Sequence, residues 1–307
     1  MSNRIFTSYV DAMLQAAETF KQLDPDYIVA PMLGSVPFID AMAIVSQDFD
    51  ISKVRYMPAS SRICDVGKSI QRWYKGFLDD VVDSPHSFPK VMAIDEVVSG
   101  ASVIRCLANV DEATQRKKRE LRQDLVERSH SFENDVALGA LRDIDILSEN
   151  AYASQIAQIR EKVLKGSYRD DTRSLHEDSR QIVDFIKGGF SQRLPYTTIG
   201  IEDSKKKDHR NLEYEQAKTA GRVIPVEIEK IITMDNPDYC PVRFETLPEP
   251  QGRGGYVRFS PKVKDYVLTP VYLGFLQSLA RHVGKNPSDV VPATMARVFE
   301  ANKYVPE

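Results

Sequence analysis

An α/β fold, with a parallel sheet flanked by helices, is what this sequence predicts, and three observations carry the expectation. Short apolar runs recur at Tyr27 to Pro31 (YIVAP), Val54 to Pro58 (VRYMP) and Val91 to Asp95 (VMAID). Each is rich in β-branched or aromatic residues and gives way to small or turn-prone ones, as strands buried on both faces do. Beside them the apolar residues change to helical spacing, with Phe38, Ala41, Met42 and Val45 in one segment and Val103, Ile104, Leu107 and Val110 in another. Strand, glycine-bearing turn, helix, strand is the alternation that builds a parallel sheet with helices on its faces.

The alternation breaks near Asp111. From there to Gly188 the chain reads as charged and helical: RKKRELRQDLVER, then Tyr152, Ile156, Ile159 and Val163, then Ile182, Phe185 and Ile186. Two or three amphipathic helices forming an insertion are expected. Strand candidates return at Tyr196 to Ile201 and Val223 to Met234, completing the sheet. LPEPQGRGG, residues 247–255, reads as a loop, and Thr269 to Phe299 as mostly helical. The expected division is therefore a core at 1–110 and 189–245 with a flexible loop at 63–90, a helical insertion at 111–188, and a helical C-terminal region at 246–307.

Composition excludes several classes. The 307 residues are 42% hydrophobic and 28% charged, which suits an ordinary globular protein with a sizeable core. A formal net charge of −3 gives no specific signal for nucleic acid. The first residues contain no apolar signal segment, and no apolar run approaches the ~20 residues of a membrane span. Cys64, Cys106 and Cys240 are few and widely spaced, with no disulfide or zinc pattern, so buried thiols in a reducing compartment are expected. The expectation is a cytoplasmic protein with no membrane partner.

The most informative stretch is VMAIDEVVSGASVIR, residues 91–105. A buried strand delivers two adjacent carboxylates, Asp95 and Glu96. The turn Ser99-Gly100-Ala101-Ser102 then opens a helix. Such a turn presents consecutive backbone N–H groups at a helix N-terminus, where the dipole and unpaired donors favour a phosphate. Gly100 permits close backbone approach, and the serine hydroxyls add donors. Carboxylates just upstream suit the hydroxyls of a sugar bearing that phosphate, or a Mg²⁺ on its oxygens.

This run resembles the 5-phosphoribosyl-1-pyrophosphate (PRPP) motif of type I phosphoribosyltransferases: apolar residues, two acids, then a Thr/Ser-Gly-x-Thr/Ser loop. The resemblance implies that Asp95 and Glu96 hold the ribose and Mg²⁺ and serve catalysis, and that Ser99, Gly100, Ala101 and Ser102 cradle the 5′-phosphate. The family's glycine stands six positions after its first acid, whereas Asp95 to Gly100 is five. Either the loop is one residue shorter, or Asp95 matches the second acid and Ile94 replaces the first. YIVAPMLGSVPF, residues 27–38, resembles the family's pyrophosphate loop and implies backbone contacts from Leu33, Gly34 and Ser35. VRYMPASSR, residues 54–62, resembles the strand before its flexible loop, which here would carry Lys68, Arg72 and Lys75 toward pyrophosphate. An exposed Trp73 in that loop would close on a ligand or a partner.

GFSQRLPYTTIGIEDSKKKDHRNLEY, residues 189–214, is similar to the base-binding end of hypoxanthine–guanine phosphoribosyltransferases. It implies Phe190 stacking on a purine, Arg210 on pyrophosphate, and an acid at Ser204, for which Asp203 is the neighbouring candidate. The implied activity is Mg²⁺-dependent transfer of phosphoribose from PRPP to a nucleobase, purines favoured, with release of pyrophosphate. The second reading is a non-catalytic or partner-gated sensor or effector, binding PRPP or a nucleotide. Its partner or second copy would dock on the charged helices of 111–188.

Overall fold

The computed structural model describes residues 3–83, 89–129, 132–168, 177–188, 196–232, 237–248 and 257–305. The apolar runs become five parallel strands: β1 (Tyr27–Met32), β2 (Val54–Pro58), β3 (Val91–Val97), β4 (Thr197–Asp203) and β5 (Val223–Ile228). They pair in the order β2-β1-β3-β4-β5. Five of the six β1 residues and six of the seven in β3 are buried, the burial of a sheet covered on both faces. The helices α1 (Asn3–Leu23) and α2 (Val36–Val45) share one core with the sheet, in which Tyr9, Met13, Phe20, Phe38 and Met42 are buried.

The chain divides into two compact units. The first comprises Met1–Gly76, Lys90–Val110 and Pro195–Glu307, and holds the whole sheet; the second comprises Phe77–Pro89 and Asp111–Leu194. The boundaries fall inside α3 (Val66–Val82) and α4 (Ala101–Arg128). The second unit also contains α5 (Asp135–Asp143), α6 (Glu149–Leu164) and α7 (Glu177–Gly188). Asn134 caps α5, its side-chain oxygen accepting the N–H groups of Val136 and Ala137 at 2.8 and 3.3 Å. On α6 no residue is fully buried, and the Tyr152 ring lies under the Arg142 guanidinium at 4.5 Å.

Two expectations need correction. Most of the stretch read as a flexible loop at 63–90 is helix α3. Ile70, Trp73, Tyr74, Phe77, Leu78 and Val81 are buried, at the i, i+3, i+4, i+7, i+8, i+11 spacing of an amphipathic helix. Trp73 is therefore not an exposed ligand gate. It is fully buried, and Tyr304 stands edge-on to it at 5.5 Å. The region 246–307 is also not wholly helical. It contains the strand β7 (Phe259–Tyr266), which pairs antiparallel with β6 (Val242–Thr246) at the region's edge, in a register that shifts twice. A helix, α8 (Leu212–Thr219), lies between β4 and β5, and α9 (Pro270–His282) follows β7.

The C-terminal segments are tied to α2 through buried Asp40. Its carboxylate accepts the Tyr272 hydroxyl at 2.5 Å and the Thr294 N–H and hydroxyl, each at 2.9 Å. Burial pushes this carboxyl up to about 6, against the opposing pull of those donors. The cysteines are free thiols. Cys106 is buried, whereas Cys64 and Cys240 are only half-buried. Among the described residues, no helix is long and apolar enough to cross a membrane.

Candidate functional site

In a parallel sheet of order 2-1-3-4-5 the chain leaves β1 toward one edge and returns at β3 toward the other. The crevice between their C-terminal ends is where such sheets take ligands. Both strongest sequence candidates fall there. After β1 the chain passes through a cis Met32–Leu33 peptide into Gly34 and Ser35, and α2 begins at Val36. After β3 it passes through Ser99 and Gly100 into α4.

Gly34 is required by a close approach. A methyl group there would fall 2.4 Å from Cδ of Glu96, so the Glu96 side chain lies directly against the loop after β1. Ser35 is fully buried, its hydroxyl and its N–H both donate to the Pro31 carbonyl, and its carbonyl accepts Phe38 and Ile39 N–H, so the structure does not leave the residue expected to contact pyrophosphate with a free donor. Gly100 has φ +79°, the left-handed region that glycine enters without penalty. Ser99 turns its hydroxyl to the Ala101 N–H at 3.3 Å, and Ile104 N–H closes the first helical bond to Gly100 at 3.0 Å. Four successive residues, Ser99 to Ser102, thus form the N-terminus of a 28-residue helix.

The acidic pair does not act as one group. Successive strand residues face opposite sides of a sheet. Asp95 is turned toward α4, where its charge bears on Cys106, while Glu96 faces Tyr9, Gly34 and Cys240. Asp95 is 4% exposed; its Oδ1 accepts the Glu96 N–H at 2.9 Å, and its Oδ2 is buried without a hydrogen bond. Burial, and then the neighbouring Glu96 charge, push the Asp95 carboxyl up to about 7, against the pull of the Ser102 hydroxyl, the Glu96 N–H and Arg105.

Among the described residues, no group of three or more His, Cys, Asp and Glu side chains converges to cage a metal. A Mg²⁺ shared between one carboxylate and the oxygens of a phosphate ester would need no such cage. Glu96, beside the loop after β1, has the position for it. The orphaned Asp95 oxygen marks a second polar demand that the chain itself does not meet.

The segment after β4 is arranged differently. Glu202 is 1% exposed and accepts Arg210 at 2.8 Å, Lys218 at 2.9 Å and the Tyr214 hydroxyl at 2.8 Å. Asp203 uses both oxygens on backbone, accepting Lys205 N–H at 2.9 Å and Ile231 N–H at 3.3 Å. The two residues proposed for base and pyrophosphate are thus held inside the fold, Asp203 as a cap and Arg210 as a counter-ion. One donor of Arg210, Nε, is buried without a partner.

Lys68 and Arg72 stand exposed on α3, Lys68 at 3.9 Å from Asp65. Phe190 lies outside the described residues. An open depression lined by Arg4, Ser8, Asp11, Ser204, Glu227 and Glu229 lies at the β5 edge instead of the switch point. Two of its acids are already paired, Glu227 with Lys207 and Glu229 with Arg4 and Lys205.

Sequence reasoning missed Glu202 and Tyr214. Glu202 is the polar residue that follows the apolar run of β4, one position before Asp203. Tyr214 sits in a polar helix whose one signal was an isolated aromatic. No protein-family model matches the chain, and neither a curated protein nor a solved structure matches it.

Proposed function

We propose that this chain binds PRPP at the β1–β3 switch point and, with Mg²⁺, transfers its phosphoribosyl group to a nucleobase, a purine being favoured. One observation carries the reading. Two glycine-bearing turns stand at the C-terminal ends of adjacent strands, Gly34 packed against Glu96 after β1 and Gly100 packed against Tyr214 at the mouth of α4. The α4 N-terminus suits the 5′-phosphate, and the backbone of Leu33 and Gly34 suits pyrophosphate. In the reaction the base nitrogen forms a bond to ribose C1 as the C1–O bond to pyrophosphate breaks. Little covalent help is needed, so positioning and electrostatic stabilisation supply the acceleration. Bound Mg²⁺, on Glu96 and the donor's oxygens, would neutralise charge on the leaving group.

Arg210 favours a second reading, a PRPP sensor or partner-gated effector. Its guanidinium is engaged by Glu202 at 2.8 Å, which holds a cation suited to the leaving group away from it. Calorimetric titration of PRPP with Mg²⁺, followed by a pyrophosphate-release assay over a panel of free bases, separates the two. Binding with base-dependent release is the expected result for the transferase. Binding without release selects the sensor, and no binding overturns both.

A further inference from the structure

We infer that Tyr214 is the positioning residue of the phosphate loop, holding Ser99 to Ser102 in its binding shape through contact with Gly100. The inference rests on the reading that this loop takes the 5′-phosphate. Three observations on separate segments meet at this side chain. A methyl group at Gly100 would run into Cγ, Cβ and Cδ2 of Tyr214, so the base of the ring packs directly on the loop backbone. A methyl group at Gly200, on β4, would fall 2.5 Å from the Tyr214 hydroxyl oxygen. That hydroxyl donates to Glu202 at 2.8 Å, and the whole residue is fully buried.

The ring is therefore wedged between a loop glycine and a strand glycine, and its outer end is fixed by a carboxylate. Glu202 is itself fixed by Arg210 and Lys218. A second restraint comes from the same segment: Asn211 N–H donates to the Ser99 carbonyl at 3.0 Å, while the Asn211 side chain accepts Tyr214 N–H at 2.8 Å. The loop after β3 thus takes its shape from the segment after β4, which makes no claim on the phosphate itself. Donors at a helix N-terminus serve a phosphate only when their directions are set in advance.

The test compares wild type, Tyr214→Phe and Tyr214→Leu by calorimetric titration of PRPP with Mg²⁺. Tyr272→Leu serves as control, since Tyr272 is an equally buried tyrosine bonded to a carboxylate remote from the loop. Loss of the ring should raise Kd about tenfold or more in folded protein, because small misplacements of binding groups cost this much or more. Phenylalanine keeps the ring and should stay within about threefold, and the control should lose stability without losing affinity.

Equal affinity of wild type and Tyr214→Leu overturns the inference while leaving the functional reading intact. Failure of wild type to bind PRPP overturns the functional reading and this inference with it. Should the leucine variant not fold, amide exchange on wild type decides. PRPP should slow exchange at 211–214 together with 99–104, and protection confined to 99–104 would overturn the inference.

Discussion

The neighbouring strands β3 and β4 each end in an adjacent acidic pair, Asp95-Glu96 and Glu202-Asp203, yet the two pairs have opposite fates. At the end of β4 both acids are closed by internal donors: two cations and a tyrosine hydroxyl on Glu202, two backbone N–H groups on Asp203. At the end of β3 one Asp95 oxygen is buried with no hydrogen bond, and Glu96 lies at the crevice against Gly34. An acidic pair after a strand is thus no signature by itself. What separates the two strand ends is one atom, the buried Asp95 oxygen that the chain leaves without a hydrogen bond.

The largest effect should come from opening the closed pair. Glu202→Gln leaves Arg210 and Lys218 without their buried counter-charge and should cost about 3–5 kcal/mol in urea unfolding. A loss below about 1 kcal/mol would mean that water reaches the site and that the contrast between the strand ends is smaller than drawn.

Asp95 makes a prediction of opposite character. The Asp95 carboxyl, raised to about 7 when folded, holds its proton more tightly in the native than in the unfolded chain. Stability should therefore fall as pH rises from the ordinary carboxylate range toward 7, Asp40 adding the same sign up to about 6. Asp95→Asn removes its share, so the variant should gain on wild type by on the order of 2 kcal/mol across that window. Thermal unfolding of both proteins at several pH values reads the difference directly, and parallel curves would sink the assignment. The same variant should lose PRPP affinity.

Gly34→Ala should cost about 1–3 kcal/mol, because the new methyl must displace Glu96. PRPP affinity should fall with it in the same titration. Smallest of all, Lys68→Ala and Arg72→Ala should each change stability by no more than about 0.5 kcal/mol, as exposed helix residues do. Unchanged PRPP affinity would leave α3 outside the site, and a clear loss would return it.

The inner strands were legible because burial on both faces writes an apolar run into the sequence, as VMAID shows for β3, whereas edge strand β5 is partly exposed and ends at Ile228, short of the expected Met234. The helical character of 111–188 was legible from period. Helix α3 carried an equally clear period in Ile70, Trp73, Tyr74, Phe77 and Leu78, and was misread because the stretch stood where a family resemblance expected a loop. Strands β6 and β7 left little trace: both are largely exposed or half-exposed, and their pairing is broken in register at Arg243/Phe244 and Phe244/Thr246. Asp95, Glu96 and Ser99 to Ser102 were found from local spacing, since a strand and the turn after it are contiguous. The hold of Tyr214 on Gly100 was invisible, because the two residues meet only through the pairing of β3 with β4.

Trp73 is the single tryptophan of the chain, enclosed by Tyr74 and by Tyr304 of the C-terminal 3₁₀ segment. The intrinsic ultraviolet emission of this indole therefore belongs to one joint of the molecule. Shielded from water it emits toward the blue; once Tyr304 leaves its edge-on place and the indole is wetted, it emits toward the red. The protein thus carries its own label-free colour gauge of whether the C-terminal end is seated on α3.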